Sequence, residues 1–352
     1  MTGSPIRSEN ITVLVVDDSA FMRQMIIDIL QRDSQIKIVG QSANGQEALD
    51  AVAALHPDVI SLDLVMPKMD GLETLRRLKH TRSQARVVIV SAYANETANV
   101  TLDCLAEGAV DFILKPSEFE GEELAVMAPQ LIAKIKAAAT SHFHNLPSPA
   151  NPTHSIKPGQ SPAAVVIGSS TGGPVALEYI LTQLPADLPF PILVAQHLPA
   201  GFVESFVARL AKKCHLPIRT GQDGDIIEPG VVYFAQGDAD SHIVSVGGRI
   251  TLSVGTAADT LAPSVTKLMT SVARVYGTGA LGIILTGMGA DGLEGMRAIR
   301  NARGQTVVQN EQTSVVYGMG RVVAEQGLAD KVISLDQIAS LLCAASEANY
   351  GR

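Results

Sequence analysis

Short runs of β-branched and other apolar residues alternate along this chain with stretches whose apolar residues recur at every third and fourth position. The runs predict strands at 11–16 (ITVLVV), 36–39, 58–62 (DVISL), 86–90 (RVVIV) and 110–114. The periodic stretches predict helices at about 19–32, 46–54, 71–79, 96–107 and 121–139. In the first of these Met22, Met25, Ile26, Ile29 and Leu30 form one face to bury. Five strand–helix alternations imply parallel strands joined by helical crossovers. Strands that are apolar throughout, rather than at alternate positions, fit a sheet covered on both faces. The pattern restarts at 163–167 (AAVVI), followed by a glycine-rich turn and a helix from about 174.

Between the two patterned regions, residues 141–162 (SHFHNLPSPANPTHSIKPGQSP) hold five prolines and almost no large apolar side chain. Proline lacks an amide N–H and turns the preceding residue away from helix, so this stretch predicts an extended linker. The expected organisation is a five-stranded parallel (βα)5 domain over 10–138, a Pro-rich linker over 139–162, and a second α/β domain over 163–347. The second domain should hold a mostly parallel sheet covered by helices.

Composition narrows the function classes. With 46% hydrophobic and 18% charged residues, the 352-residue chain is core-forming, which excludes a disordered protein. Residues 1–160 carry 14 basic and 19 acidic side chains, and residues 161–352 carry 13 and 16. Neither region is basic, and tryptophan is absent, so no nucleic-acid partner is expected. Cys104, Cys214 and Cys343 lie far apart, which argues against a disulfide scaffold or zinc finger and suits a reducing cytosol. The opening MTGSPIRSEN lacks a signal-peptide core, and apolar runs stop short of the roughly 18 residues that span a bilayer. The expectation is a cytoplasmic protein with no direct membrane insertion.

Polar residues collect where the apolar strands of the first domain end. Asp17 and Asp18 follow VLVV, Asp63 follows VISL, Ser91 follows VVIV, and Lys115 follows FIL. Ligands of open parallel α/β sheets bind outside these carboxyl ends. Three carboxylates gathered there repel one another, and a hard divalent ion such as Mg²⁺ would relieve this. With the ion and the Lys115 ammonium beside it, one carboxylate could carry a phosphoryl group. Singly, Asp17 and Asp18 read better as turn residues or helix caps and Asp63 as a strand terminator; the argument rests on five positions at successive strand ends.

VLVVDDS, SLDLVMPKMDG, VVIVSAY and GAVDFILKP together resemble the receiver domain of two-component response regulators. The resemblance implies that Asp63 is the phosphoacceptor and that Asp18 and Asp63 bind Mg²⁺ with Asp17 assisting. It also implies that Ser91 and Lys115 contact the phosphoryl group, that the Lys115–Pro116 bond is cis, and that a sensor histidine kinase is the phosphodonor.

In the second domain GSSTGG follows AAVVI, PILVAQ runs into His197, and LGIILTG leads to Met288-Gly289-Ala290-Asp291-Gly292. Gly168-Ser169-Ser170-Thr171-Gly172 fits G-x-S-x-G, a sharp strand-to-helix turn that exposes a serine. A serine hydroxyl needs an imidazole to take its proton, and the imidazole needs a carboxylate to fix its tautomer. Ser170, His197 and Asp291 on one sheet edge could supply these roles. GSSTGG also fits an anion-cradling loop, His197 a loop histidine and Asp291 a turn aspartate, so joint placement again carries the reading.

GSSTGGP, AQHLPAGF, LTGMGADG and QNEQTSVVYGMG resemble the catalytic domain of chemotaxis-type protein-glutamate methylesterases. The resemblance implies a Ser170, His197, Asp291 triad with Thr171 and Met288 beside the reacting carbonyl, and no cofactor for the esterase chemistry. The implied substrate is methylated glutamate on the cytoplasmic helical bundle of chemoreceptors, with glutamine deamidation in some members. The unphosphorylated receiver would obstruct the site and phosphorylation would relieve this. Two stretches depart from the family pattern. Leu261-Ala262-Pro263-Ser264-Val265-Thr266 lacks the usual arginine and aspartate, and a longer run separates Ala235-Gln236-Gly237 from His242. The competing expectation is a response regulator whose output domain only binds a partner.

Overall fold

The computed structural model describes residues 10–81, 83–92, 95–116, 122–141, 161–257 and 262–347. Most of the expected linker and Leu261 lie outside these residues. The chain divides into two compact units after Ser141.

The first unit runs β1 (Ile11–Val16), α1 (Ala20–Leu30), β2 (Ile36–Ser42), α2 (Gly45–Leu55), β3 (Val59–Asp63), α3 (Gly71–Lys79), β4 (Arg86–Ser91), α4 (Asn95–Ala106), β5 (Asp111–Leu114), α5 (Glu122–Ala139). Its sheet has the order β2-β1-β3-β4-β5 with parallel pairing throughout. Helix starts are set locally: Ser19, Asn44 and Asp70 each accept the N3 amide of the helix they cap. Such caps contribute about 1 kcal/mol apiece. β2 extends three residues beyond the predicted 36–39. A register shift between Val13 and Leu14 lets it go on pairing with β1 as far as Ser42.

The second unit runs β6 (Ala164–Ser169), α6 (Gly173–Leu181), β7 (Ile192–Gln196), α7 (Ala200–Ala211), β8 (Ile218–Thr220), β9 (Val232–Phe234), β10 (Ala239–Val246), β11 (Arg249–Thr256). It continues with α8 (Val265–Tyr276), β12 (Ala280–Ile284), α9 (Leu293–Asn301), β13 (Gln305–Gln309), α10 (Met319–Glu325), β14 (Lys331–Ile333) and α11 (Leu335–Glu347). Seven strands form one sheet, β14-β13-β12-β6-β7-β9-β8, all in parallel pairs. β10 and β11 stand apart as an antiparallel hairpin. β6 is central: the chain leaves it for β7 on one side and returns to β12 on the other. This reversal of strand order opens a crevice at the carboxyl ends of β6, β7 and β12.

The core of this unit includes Val166, Leu193, Tyr233, Val265, Met269, Ile284 and Met296, all essentially inaccessible. Among the described residues no helix is long and apolar enough to cross a membrane. Among them the cis peptide bond is Ala262–Pro263; Lys115–Pro116, expected cis from the resemblance, is not one.

Candidate active site and acidic pocket

In the first unit the carboxyl ends of β1, β3 and β5 bring Asp17, Asp18, Asp63 and Lys115 together. Ligand oxygens of the three aspartates lie within 4.8 Å of one another. Lys115 Nζ sits 2.8 Å from Asp17 Oδ2 and 2.9 Å from Asp63 Oδ2. The remaining oxygens are held by backbone, Asp17 Oδ1 by Ser19 N–H and Asp63 Oδ1 by Leu64 N–H. Burial pushes the Asp63 carboxyl above its usual range, with Asp17 adding to the shift and Lys115 opposing it. Burial alone would lower the Lys115 ammonium, but Asp17 and Asp63 hold it above its ordinary value. One ammonium therefore pairs with two of the three carboxylates. Asp17 Oδ2 is fully buried, and apart from the Lys115 ion pair it lacks a hydrogen-bond donor. That set of hard oxygen donors fits a divalent cation such as Mg²⁺. Ser91 is buried at the end of β4, where its Oγ donates to Ala92 O at 3.2 Å. Gly71 lets α3 start against the pocket, since a Cβ there would collide with Asp63 O.

In the second unit Ser170 follows β6, His197 follows β7, and Asp291 lies in the loop after β12. His197 Nε2 is 2.9 Å from Asp291 Oδ2. Asp291 Oδ2 also accepts from Val265 N at 2.8 Å, while Oδ1 accepts from Thr266 N at 2.9 Å and Gly292 N at 2.8 Å. Val265 and Thr266 open α8, so the carboxylate takes up helix-terminal N–H groups that lack intrahelical partners. Burial would raise this carboxyl, but hydrogen bonds from His197 and Thr266 outweigh it and hold the group at about 2. With Nε2 turned to the aspartate, Nδ1 is the imidazole atom left for a proton. The Ser170 hydroxyl is not hydrogen-bonded to His197; such contacts are commonly long before substrate binds.

A scan of family models places residues 165–342 in the CheB methylesterase family and residues 13–126 in the response regulator receiver domain. A protein-glutamate methylesterase/protein-glutamine glutaminase of Geobacter sulfurreducens is 38% identical, covering 95% of this chain and 97% of its own length. The chain belongs to the CheB methylesterase family. A namesake from Halalkalibacterium halodurans is 40% identical over 94% of this chain and 96% of its own. The crystal structure of the Thermotoga maritima CheB methylesterase catalytic domain matches 52% of this chain and 98% of its own at 35% identity, with a TM-score of 0.51.

Two further residues that the CheB resemblance brought forward lie beside the serine turn. Thr171 is buried, and its carbonyl accepts from Thr286 Oγ1 at 2.9 Å. Met288 adjoins Gly287, where a Cβ would come within 2.8 Å of Ser170 Cβ. Of the two departing stretches, the first now has a local account. Thr266 donates its amide to Asp291, and its Oγ1 accepts Gly292 N at 2.8 Å. In the second, Asp238 Oδ2 accepts Ala200 N at 3.1 Å and so caps α7, the helix that follows His197.

The sequence did not single out Gln196, Thr286 or Gln309, all buried at the same sheet edge. Gln309 Oε1 accepts Thr286 N at 2.8 Å, and Thr286 Oγ1 in turn accepts Val316 N at 3.0 Å. The available signal was position: glutamine closes the otherwise apolar run of β7 and follows Val307 and Val308 at the end of β13.

Proposed function

We propose that this chain is a phosphorylation-controlled serine hydrolase that removes methyl esters from glutamate side chains on the cytoplasmic helical bundle of chemoreceptors. The observation that carries the reading is the His197–Asp291 pair at 2.9 Å, seated on the N-terminus of α8 at the sheet edge that also carries Ser170. Ser170 Oγ attacks the ester carbonyl while His197 Nδ1 takes its proton, and Asp291 stabilises the imidazolium. N–H groups near Thr171 and Met288 face the developing oxyanion. Collapse of the tetrahedral intermediate breaks the C–O bond, and methanol leaves with the proton from His197. Water, deprotonated by the same imidazole, then cleaves the acyl-serine to free glutamate and regenerates the hydroxyl. With a glutamine amide the leaving group is ammonia, which accords with the glutaminase activity in the relatives' names.

Control is assigned to the first unit, with a sensor histidine kinase as phosphodonor. Asp63 accepts the phosphoryl group; Lys115 and Ser91 contact its oxygens. Asp17, Asp18 and Asp63 would hold Mg²⁺, which supplies positive charge to the phosphoryl oxygens. No cofactor is assigned to the ester hydrolysis. The domain bounds of this reading are 10–138, 139–162 and 163–347.

The test is methanol release from methylated receptor membranes. Ser170→Ala should abolish it while the receiver still takes up phosphate from a small phosphodonor. Release at the wild-type rate would refute Ser170 as nucleophile, and failure of a serine-directed phosphonate to label Ser170 would favour an output domain that only binds.

A further inference from the structure

Gln196 ends β7 and is buried between the loops that carry Ser170 and His197. Its amide makes three bonds. Nε2 donates to Ser170 O at 3.0 Å and to His197 O at 3.2 Å, and Oε1 accepts Ser169 Oγ at 2.6 Å. The orientation follows from chemistry, because backbone carbonyls only accept and the NH₂ must face them. A backbone bond, His197 N–H to Ser169 O at 3.1 Å, joins the strands one step earlier. The amide reaches past that bond to the carbonyls of the two residues whose side chains must meet. Gly173 makes room for it, since a Cβ at that position would collide with Gln196 Oε1.

We propose that Gln196 is a positioning residue for the ester hydrolysis: one side-chain amide ties the backbone of the nucleophile to the backbone of the base and sets their separation. The inference rests on the serine-hydrolase reading above. Ser170 Oγ and His197 share no hydrogen bond in the structure, so their alignment depends on where the backbone holds them. A displacement near 1 Å at such a pair slows reaction on the order of 100-fold. Gln196 acts through two carbonyls, so its loss should fall on kcat and leave KM nearly unchanged.

The experiment uses the full chain with methylated receptor membranes and compares Gln196→Met, Gln196→Glu, Ser169→Ala and Ser170→Ala. Methionine keeps the length of glutamine without its donors. Glutamate keeps the acceptance from Ser169 but turns a second acceptor toward the two carbonyls. Both should lower kcat on the order of 100-fold with KM within about twofold of wild type. Labelling of Ser170 by a serine-directed phosphonate should slow in parallel. Ser169→Ala disturbs packing little but releases the amide's orientation, and should lower kcat about three- to tenfold, the worth of one hydrogen bond. Wild-type kcat in Ser169→Ala and in a folded Gln196 variant, with Ser170→Ala inactive, overturns the positioning role alone. A rise in KM with kcat intact also overturns it. An active Ser170→Ala overturns instead the nucleophile assignment beneath it.

Discussion

Exchange of Asp291 for asparagine tests the centre of the proposed site, because the structure leaves the amide no good orientation. Each carboxylate oxygen accepts a backbone N–H: Oδ2 from Val265, Oδ1 from Thr266 and Gly292. Whichever way the introduced amide turns, its NH₂ faces an N–H at one oxygen position. If it faces Val265 it also donates to His197 Nε2, which drives the imidazole proton to Nδ1. That is the tautomer unable to take a proton from Ser170. The expected loss in kcat is on the order of 10⁴-fold.

Stability should fall as well. The Asp291 carboxyl is held at about 2 against its ordinary 3.8, which corresponds to about 2 kcal/mol in favour of the folded state when charged. Because the folded value is depressed, that contribution is complete above the ordinary 3.8 and is lost as pH falls toward about 2. The Asp291→Asn variant forfeits it at neutral pH and adds an opposed donor pair costing about 1–3 kcal/mol. Denaturant midpoints of wild type and variant should therefore differ most at neutral pH and draw closer in acid, where only the cost of the opposed donors remains. Methanol release within tenfold of wild type, or a gap that does not narrow as pH falls, would refute the account.

The acidic pocket yields two further expectations. Asp63→Asn should end the rise in esterase rate on adding a phosphodonor and, at the same time, raise the melting temperature of the first unit. The raised Asp63 carboxyl means that its charged form costs stability at neutral pH, and asparagine removes that charge. A lower melting temperature would contradict the sign. Magnesium should raise the same transition, by about 2.7 kcal/mol at a hundredfold excess over its dissociation constant, and Asp18→Ala should abolish the effect. An equal rise with sodium chloride at matched ionic strength would remove the case for a specific ion.

The first unit was legible in the sequence because its signals are local. Apolar strands ending in Asp17, Asp63, Ser91 and Lys115 put each residue at a sheet edge that the βα alternation already predicts. In the second unit the serine turn, the histidine and the MGADG loop could be read one by one, since each follows its own apolar run. What joins them could not. Asp291 is held by N–H groups of Val265 and Thr266, 26 and 25 residues earlier, and no periodicity encodes that meeting. Gln196 looked like the polar end of an apolar strand, and only the pairing of β7 with β6 turns its amide toward Ser170. The β10–β11 hairpin escaped notice because its glycines and serines blur the alternation of its strands.

The central place of β6 bears on how the protein is made. β6 pairs with β12, more than a hundred residues later in the chain, as well as with β7. During synthesis the serine and histidine loops therefore leave the ribosome well before the strand and the aspartate that complete their surroundings. Pairing over such sequence separations is slow to form. A nascent or truncated chain lacking β12 and its loop has the serine turn without the rest of the proposed site, so on this reading hydrolysis begins only once nearly the whole polypeptide exists.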